Sequence, residues 1–199
     1  MKKSLLIMAV LALALVAAVL MMPTFAADPK PAAGAPAGQM PPMGPPAEMK
    51  GLANLVGTWN YTMKMKMDPS SDKFQEMKMT CKMAYILDGA ALTQEHESVD
   101  LMNGMKFKGI GIQTYDRELK QWQMTWTDNM SGRTGIYTGQ ITGDSAVFTG
   151  EDLMMGQKFL SRITMSKMTP TSFDWKMEMS MDQGKTWMVS ATSSFAKSK

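Results

Sequence analysis

Bulky apolar residues along most of this chain recur at every second position. Trp59, Tyr61, Met63, Met65 and Met67 alternate with Asn60, Thr62, Lys64 and Lys66. Met77, Met79, Cys81, Met83 and Tyr85 alternate with Lys78, Thr80, Lys82 and Ala84. Phe173, Trp175, Met177, Met179 and Met181 alternate with Asp174, Lys176, Glu178 and Ser180. Successive side chains of a strand point to opposite faces, so each run buries its apolar set and wets its lysines. On a helix the same methionines would be smeared around the axis, so the Met-Lys repeats read as strands even though methionine is a good helix former. The pattern predicts ten strands, near 57–67, 74–87, 90–99, 105–116, 120–128, 133–141, 145–151, 157–168, 171–181 and 186–195. A short amphipathic helix is expected over 47–55, and none after Val56.

Turn chemistry sits between these runs. Asp88-Gly89 and Asn103-Gly104 are two-residue hairpin dipeptides, because both central positions of a type I′ turn need positive φ. Gly143-Asp144, Pro170 and Asp182-Gln183-Gly184 punctuate the rest. Half-buried strands at such regular spacing imply a sandwich or a barrel. Short connections and no evident long crossover favour an antiparallel up-and-down β-barrel of about ten strands, which also removes the exposed edges that invite aggregation. The short helix, carrying Leu52 and Leu55, then plugs one end.

The first 50 residues do not share this pattern. Met1-Lys2-Lys3, the apolar run Leu5 to Leu20 and the small residues around Thr24-Phe25-Ala26 read as an export signal cleaved before Ala27, so 1–26 is a signal peptide. The competing reading is an uncleaved anchor, for which the 18 residues from Leu5 to Met22 barely suffice. No cysteine follows the run, which excludes a lipid anchor there. Residues 27–50 hold seven of the ten prolines amid alanine and glycine, and are expected to form a disordered linker with Met40, Met43 and Met49 solvated. The barrel domain is then 51–199, in a periplasmic or secreted protein.

Removing the signal leaves 19 basic against 18 acidic residues, too even a balance to attract nucleic acid or an anionic membrane through a general field. One cysteine permits no internal disulfide, and with a single histidine it excludes the usual zinc constellations. His96, between Glu95 and Glu97, has the makings of a general base or an axial haem ligand, but as the lone histidine on a polar run it is expected to be a solvated surface residue. Cys81, alternating with methionines, is expected to be a buried, inert thiol. No nucleophile elbow, phosphate loop or metal-ligand pair is present, so no catalytic residue is assigned. A pair of carboxylates brought together by folding is the one route to a hydrolase that the sequence leaves open.

Methionine changes the picture most. From residue 27 onward there are 21 methionines against 18 leucines, isoleucines and valines together. Packing is the first explanation, since methionine fills irregular space and suits a deformable apolar chamber. Soft-metal binding is the second. Met63, Met65 and Met67 would face Met77, Met79, Cys81 and Met83 across the first hairpin, a sulfur cluster of the kind that selects Cu(I).

Several short motifs carry a resemblance. Leu52, Leu55 and Val56-Gly57-Thr58-Trp59 resemble the Gly-x-Trp opening of lipocalin-type barrels. They are followed by Phe107-Lys108-Gly109-Ile110-Gly111, Tyr115-Asp116, Trp122 with Trp126-Thr127-Asp128-Asn129-Met130, and Asp182-Gln183-Gly184-Lys185-Thr186-Trp187. Together, over about 52–197, these are similar to the bacterial family catalogued as domain of unknown function 1579. The resemblance implies a lipocalin-like barrel and no established activity, so no catalytic residue carries over. Read physically, Trp59 seals the barrel floor, Gly109 and Gly111 leave a bare strip for a bend or close approach, and Asp116 and Asp182 accept backbone N–H bonds in turns. The reading that follows is a non-catalytic binding protein for a small apolar or amphipathic molecule, with no cofactor, no nucleic acid and no membrane span once the signal is gone. Trp59, Met65, Met79, Tyr115, Trp126, Asp128 and Trp175 are the expected lining.

Overall fold

The computed structural model describes residues 43–66, 72–100, 104–154 and 156–199. The expected signal peptide, most of the linker, and Met67 lie outside the described residues. Ten strands follow in chain order: β1 (Gly57–Met65), β2 (Gln75–Ile86), β3 (Ala91–Ser98), β4 (Lys108–Asp116), β5 (Gln121–Asp128), β6 (Thr134–Thr142), β7 (Ser145–Met154), β8 (Gln157–Ser166), β9 (Ser172–Ser180) and β10 (Met188–Lys197). Each pairs antiparallel with its chain neighbours, and β1 closes on β10 with Trp59 opposite Lys197 and Met65 opposite Ala191. The up-and-down barrel expected from the alternation is the fold.

Register places the alternating sets as the period-two pattern requires. Trp59 stands opposite Cys81, Tyr61 opposite Met79 and Met63 opposite Met77, so these side chains share the inner face while the lysines between them point outward. The floor is a column of aromatic rings. Phe195 stacks between Tyr61 (4.0 Å between centroids) and Phe173 (4.3 Å), and Trp59 meets Phe173 edge-on at 4.9 Å.

The helix ahead of β1 spans Ala47–Leu55 and is a 3-10 helix. Its buried residues are Met49, Leu52 and Leu55. A spacing of three stacks them on one face at three residues per turn, where an α-helix would splay them. Met49 is only 2% exposed, so it is not the solvated linker residue expected, and the packed chain begins before residue 51. Three side-chain tethers hold this plug: the Trp59 indole Nε1 donates to the Leu55 carbonyl at 2.8 Å, Lys197 Nζ donates to the Asn54 carbonyl at 3.1 Å, and the Tyr85 hydroxyl donates to the Met49 carbonyl. Tyr85→Phe is expected to lower stability by about 1 kcal/mol in urea unfolding, the net worth of one such bond.

The turns follow expectation unevenly. The Asp88-Gly89 connection is no two-residue hairpin. Leu87, Asp88 and Gly89 all adopt positive φ, Ala90 closes back on the Leu87 carbonyl, and Ile86 pairs with Ala91 across a four-residue loop. Between β3 and β4 the Ser98 N–H donates to the Phe107 carbonyl, the Ser98 hydroxyl accepts from the Phe107 N–H and donates to the Asp100 carbonyl, and Gly104 has φ 82°, while Asn103 lies outside the described residues. Gly143-Asp144 is a two-residue hairpin, with Gly143 alone of the pair at positive φ. Asp116 and Asp182 act as turn acceptors: Asp116 takes the Glu118 and Leu119 N–H groups, and Asp182 takes Thr186 through both its N–H and its hydroxyl. These bonds hold the Asp182 carboxyl down at about 2.

Candidate functional site: the open half of the barrel

The two ends of the barrel differ. Around the start of β1, beneath the 3-10 helix, inward-facing side chains are sealed. Trp59 and Leu92 have no accessible surface, and Trp122 and Phe173 almost none. Toward the other end, Met63, Met65 and Met77 on β1 and β2, Trp126 on β5 and Met177 on β9 also face inward, yet each keeps accessible surface. Trp175, nearer the middle of the barrel, is likewise half-buried. An inward side chain that water still reaches marks unfilled space in the open half.

The walls of that half are prepared by glycines. A Cβ on Gly109 would sit 2.4 Å from the Trp126 ring, and one on Gly150 would sit 2.6 Å from the Tyr137 ring. Only bare backbone lets these two rings lie flat against the sheet instead of filling the lumen. The strip expected at Gly109 and Gly111 therefore serves a ring, not a bend. Trp126 is fixed from its polar side as well, because its Nε1 donates to Asp128 Oδ2 at 2.9 Å while Asp128 Oδ1 accepts the Met130 and Ser131 N–H groups. Further along the same wall, on β6–β8, Asp152 Oδ2 accepts Tyr137 and Ser161 hydroxyls, both at 2.7 Å, and Oδ1 accepts Arg133 at 3.1 Å. Burial, then the Asp152 bond, pushes the Tyr137 phenol well above its usual range. Asp128 and Asp152 are the carboxylates on this inner wall, and both are occupied as acceptors of wall and loop donors.

His96 is not the solvated residue expected. It stands opposite Cys81 in the β2–β3 register, so it points inward. Its Nδ1 lies 2.6 Å from the Tyr61 hydroxyl and its Nε2 lies 3.3 Å from Cys81 Sγ. Its ring meets Trp126 edge-to-face at 5.1 Å. Burial lowers its pKa to about 4, so the imidazole is neutral, with one nitrogen donating and the other accepting. Burial raises the Tyr61 phenol and the Cys81 thiol, each further raised by a neighbour, Cys81 for Tyr61 and Glu95 for Cys81. The chain Tyr61–His96–Cys81 is thus uncharged, and Cys81 is the unreactive thiol the alternation implied.

Of the expected lining, Met65, Trp126 and Asp128 lie at the open end and Trp175 lies deeper. Trp59 and Met79 are sealed in the core, and Tyr115 packs on Trp122 at the closed end, 5.4 Å between centroids. Met79, Cys81 and Met83 are buried to within 2% and cannot meet an ion as part of the expected cluster, whereas Met63, Met65 and Met77 are reachable. Among the described residues, no three His, Cys, Asp or Glu side chains gather into a metal site. His96, Tyr137, Ser161 and Asp152 were missed. His96 was legible, since it keeps step with Gln94 and Ser98 on one face while Glu95 and Glu97 take the other. Asp152 carried no such signal, because nothing in the sequence marks an acid as paired with Tyr137 and Ser161.

A concavity of about 580 Å³ runs along β1–β5, lined by the outward-facing Thr58, Thr80, Lys82, Glu95 and Ile110 and also by Cys81, His96, Gly109 and Asp128. Its rim charges neutralise one another: Glu97 lies 2.9 Å from Lys106 and 3.6 Å from Lys108. Among the described residues no helix is long and apolar enough to cross a membrane.

A closed, ten-stranded antiparallel meander with a helical plug and one open half defines a lipocalin-like barrel. The chain belongs to the family described as "Protein of unknown function (DUF1579)", whose profile matches residues 44–196. Rv2717c from M. tuberculosis is similar in structure, with a TM-score of 0.57 at 13% identity over 78% of this chain and 100% of that one. The S-type phycobiliprotein lyase CPES from Guillardia theta gives a TM-score of 0.49 at 12% identity over 75% and 92% of the two chains. A redesigned β-barrel gives 0.41 at 14% over 74% and 94%. At these identities the likeness is one of fold. No curated protein matches the chain.

Proposed function

We propose that this is an exported binding protein that holds a small apolar or amphipathic molecule in the open half of its barrel, by burial and without chemistry. The observation that carries the reading is the contrast within one lumen: Trp126, Trp175 and Met177 point inward and keep accessible surface, while Trp59 and Leu92 keep none. Burial of apolar ligand surface against such side chains supplies roughly 25 cal/mol per Å². The hydroxyl and carboxylate groups around Tyr137 and Asp152 bond to one another, which leaves an apolar wall for the ligand to meet.

Titration with the apolar fluorophore N-phenyl-1-naphthylamine tests this. Saturable binding is expected with Kd on the order of micromolar, weakened about tenfold by Trp126→Ala through loss of ring contact. No saturable binding, or binding indifferent to Trp126→Ala, overturns the chamber. Export is tested separately, by the intact mass of the protein recovered from outside the cytoplasm, expected to begin at Ala27.

A further inference from the structure

The described methionines of the barrel differ in burial. Met49, Met79, Met83, Met124, Met165 and Met179 are buried in the core. Met105, Met130, Met154, Met181 and Met188 are exposed to solvent, and Met168 is half-buried in the turn after β8 at the closed end. Met63, Met65, Met77 and Met177 belong to neither group, for they face inward at the open end and are half-buried.

These four lie on one run of wall, β2–β1–β10–β9, with Met63 and Met77 paired across β1 and β2 and with Met65 and Met177 on either side of Ala191 of β10. Met63 stands opposite Met77, Met65 opposite Ala191, and Ala191 opposite Met177. Cross-strand partners on one face have Cβ atoms about 5 Å apart, and successive residues on that face are separated by about 6.6 Å along the strand. A methionine side chain with three rotatable bonds spans such gaps. The methyl of Ala191 leaves the space between Met65 and Met177 clear of any longer side chain.

Four thioethers on one inner wall form a neutral, polarizable donor set. Such sulfurs are poor ligands for calcium, magnesium or manganese and good ones for Cu(I) and its congener Ag(I). A neutral donor set leaves a bound monocation its single charge, a smaller desolvation penalty than a dication would carry at a half-buried site. Methionine also fills the sealed core of this chain, so it is accessibility on one inner wall, not residue type, that sets these four apart. We propose that Met63, Met65, Met77 and Met177 form a binding site for one soft monovalent cation, Cu(I), at the open end of the barrel. Met79, Cys81 and Met83 take no part, being sealed beneath it.

The test is titration of the full chain with Ag(I), following the methionine ε-methyl resonances, alongside Cu(I) competition against bathocuproine disulfonate. One equivalent is expected to move the signals of these four residues and leave those of Met154 and Met188 in place. Met63→Leu/Met77→Leu keeps apolar volume and fold, and is expected to weaken binding about tenfold or more, while Met154→Leu/Met188→Leu changes nothing. Signals that stay still, exposed methionines that respond equally, or an undiminished affinity in the first variant overturn the site. Fluorophore binding by the unmutated chain, set beside its silver titration, keeps the two ideas apart. Fluorophore bound with no response to silver removes only the cation site, and silver bound with no fluorophore removes only the apolar chamber.

Discussion

Trp59→Ala is expected to destabilise the protein by about 4 kcal/mol, the cost of emptying a large aromatic from a packed core. Three losses converge. The ring has no accessible surface, so its whole area returns to a void that the closed barrel cannot collapse to fill. Its edge contact with Phe173 goes, which frees one end of the Phe173–Phe195–Tyr61 stack. The Leu55 carbonyl loses its indole donor, so the 3-10 plug loosens with the floor beneath it. A domain of this size shifts in Tm by about 2–4 °C per kcal/mol, giving a drop of about 12 °C in thermal unfolding followed by circular dichroism. Trp59→Phe separates the terms, since it restores most of the ring but not the donor and is expected to cost about 1–2 kcal/mol. A loss under about 1 kcal/mol for the alanine variant would mean that the floor is not packed as described.

Trp59 also shows why so much of the fold was legible. Period-two alternation is a local property, and it set both the number of strands and the face of nearly every large side chain before any contact was known. The helix was legible through Leu52 and Leu55, though not its 3-10 pitch, for which the third residue, Met49, was the missing clue; proline and alanine around it read as linker. Turn lengths were less legible. Asp88-Gly89 has hairpin chemistry, yet positive φ extends back to Leu87, a choice made by the register of β2 on β3. The site was legible only in part. Trp126 and Asp128 were found at a strand end, but whether an inward side chain is sealed or reachable depends on the opposite wall. That is why Trp59 and Met79 could not be told from Trp126 and Met65. Charge misled at His96, where two flanking glutamates suggested water while the phase of the strand placed the ring inside.

That inward placement makes stability depend on pH through one residue. The His96 pKa falls from 6.5 to about 4 on folding, because burial disfavours the imidazolium. Above pH 6.5 the ring is neutral in folded and unfolded chains alike, and contributes no pH dependence. As pH drops below that value the unfolded chain takes up a proton the folded chain refuses, so stability falls until the folded pKa is reached and then levels off. At about 1.4 kcal/mol per pH unit of displacement, the loss across this window approaches about 3 kcal/mol. Asp174, Glu178 and Asp182 run the other way in cause, since their folded pKa values are lowered and their stabilisation fades only as pH falls through those lower values. The difference between wild type and His96→Gln cancels their share and is expected to grow steadily from pH 6.5 down toward 4, measured by urea unfolding at half-unit steps. A second signal reports the same proton. A charged imidazole has no acceptor nitrogen, so Tyr61 and Cys81 must both turn to accept from it, and the Trp126 ring 5.1 Å away is expected to lose fluorescence in step. A difference that stays flat from pH 6.5 to 4.5 would place His96 in water rather than between Tyr61 and Cys81.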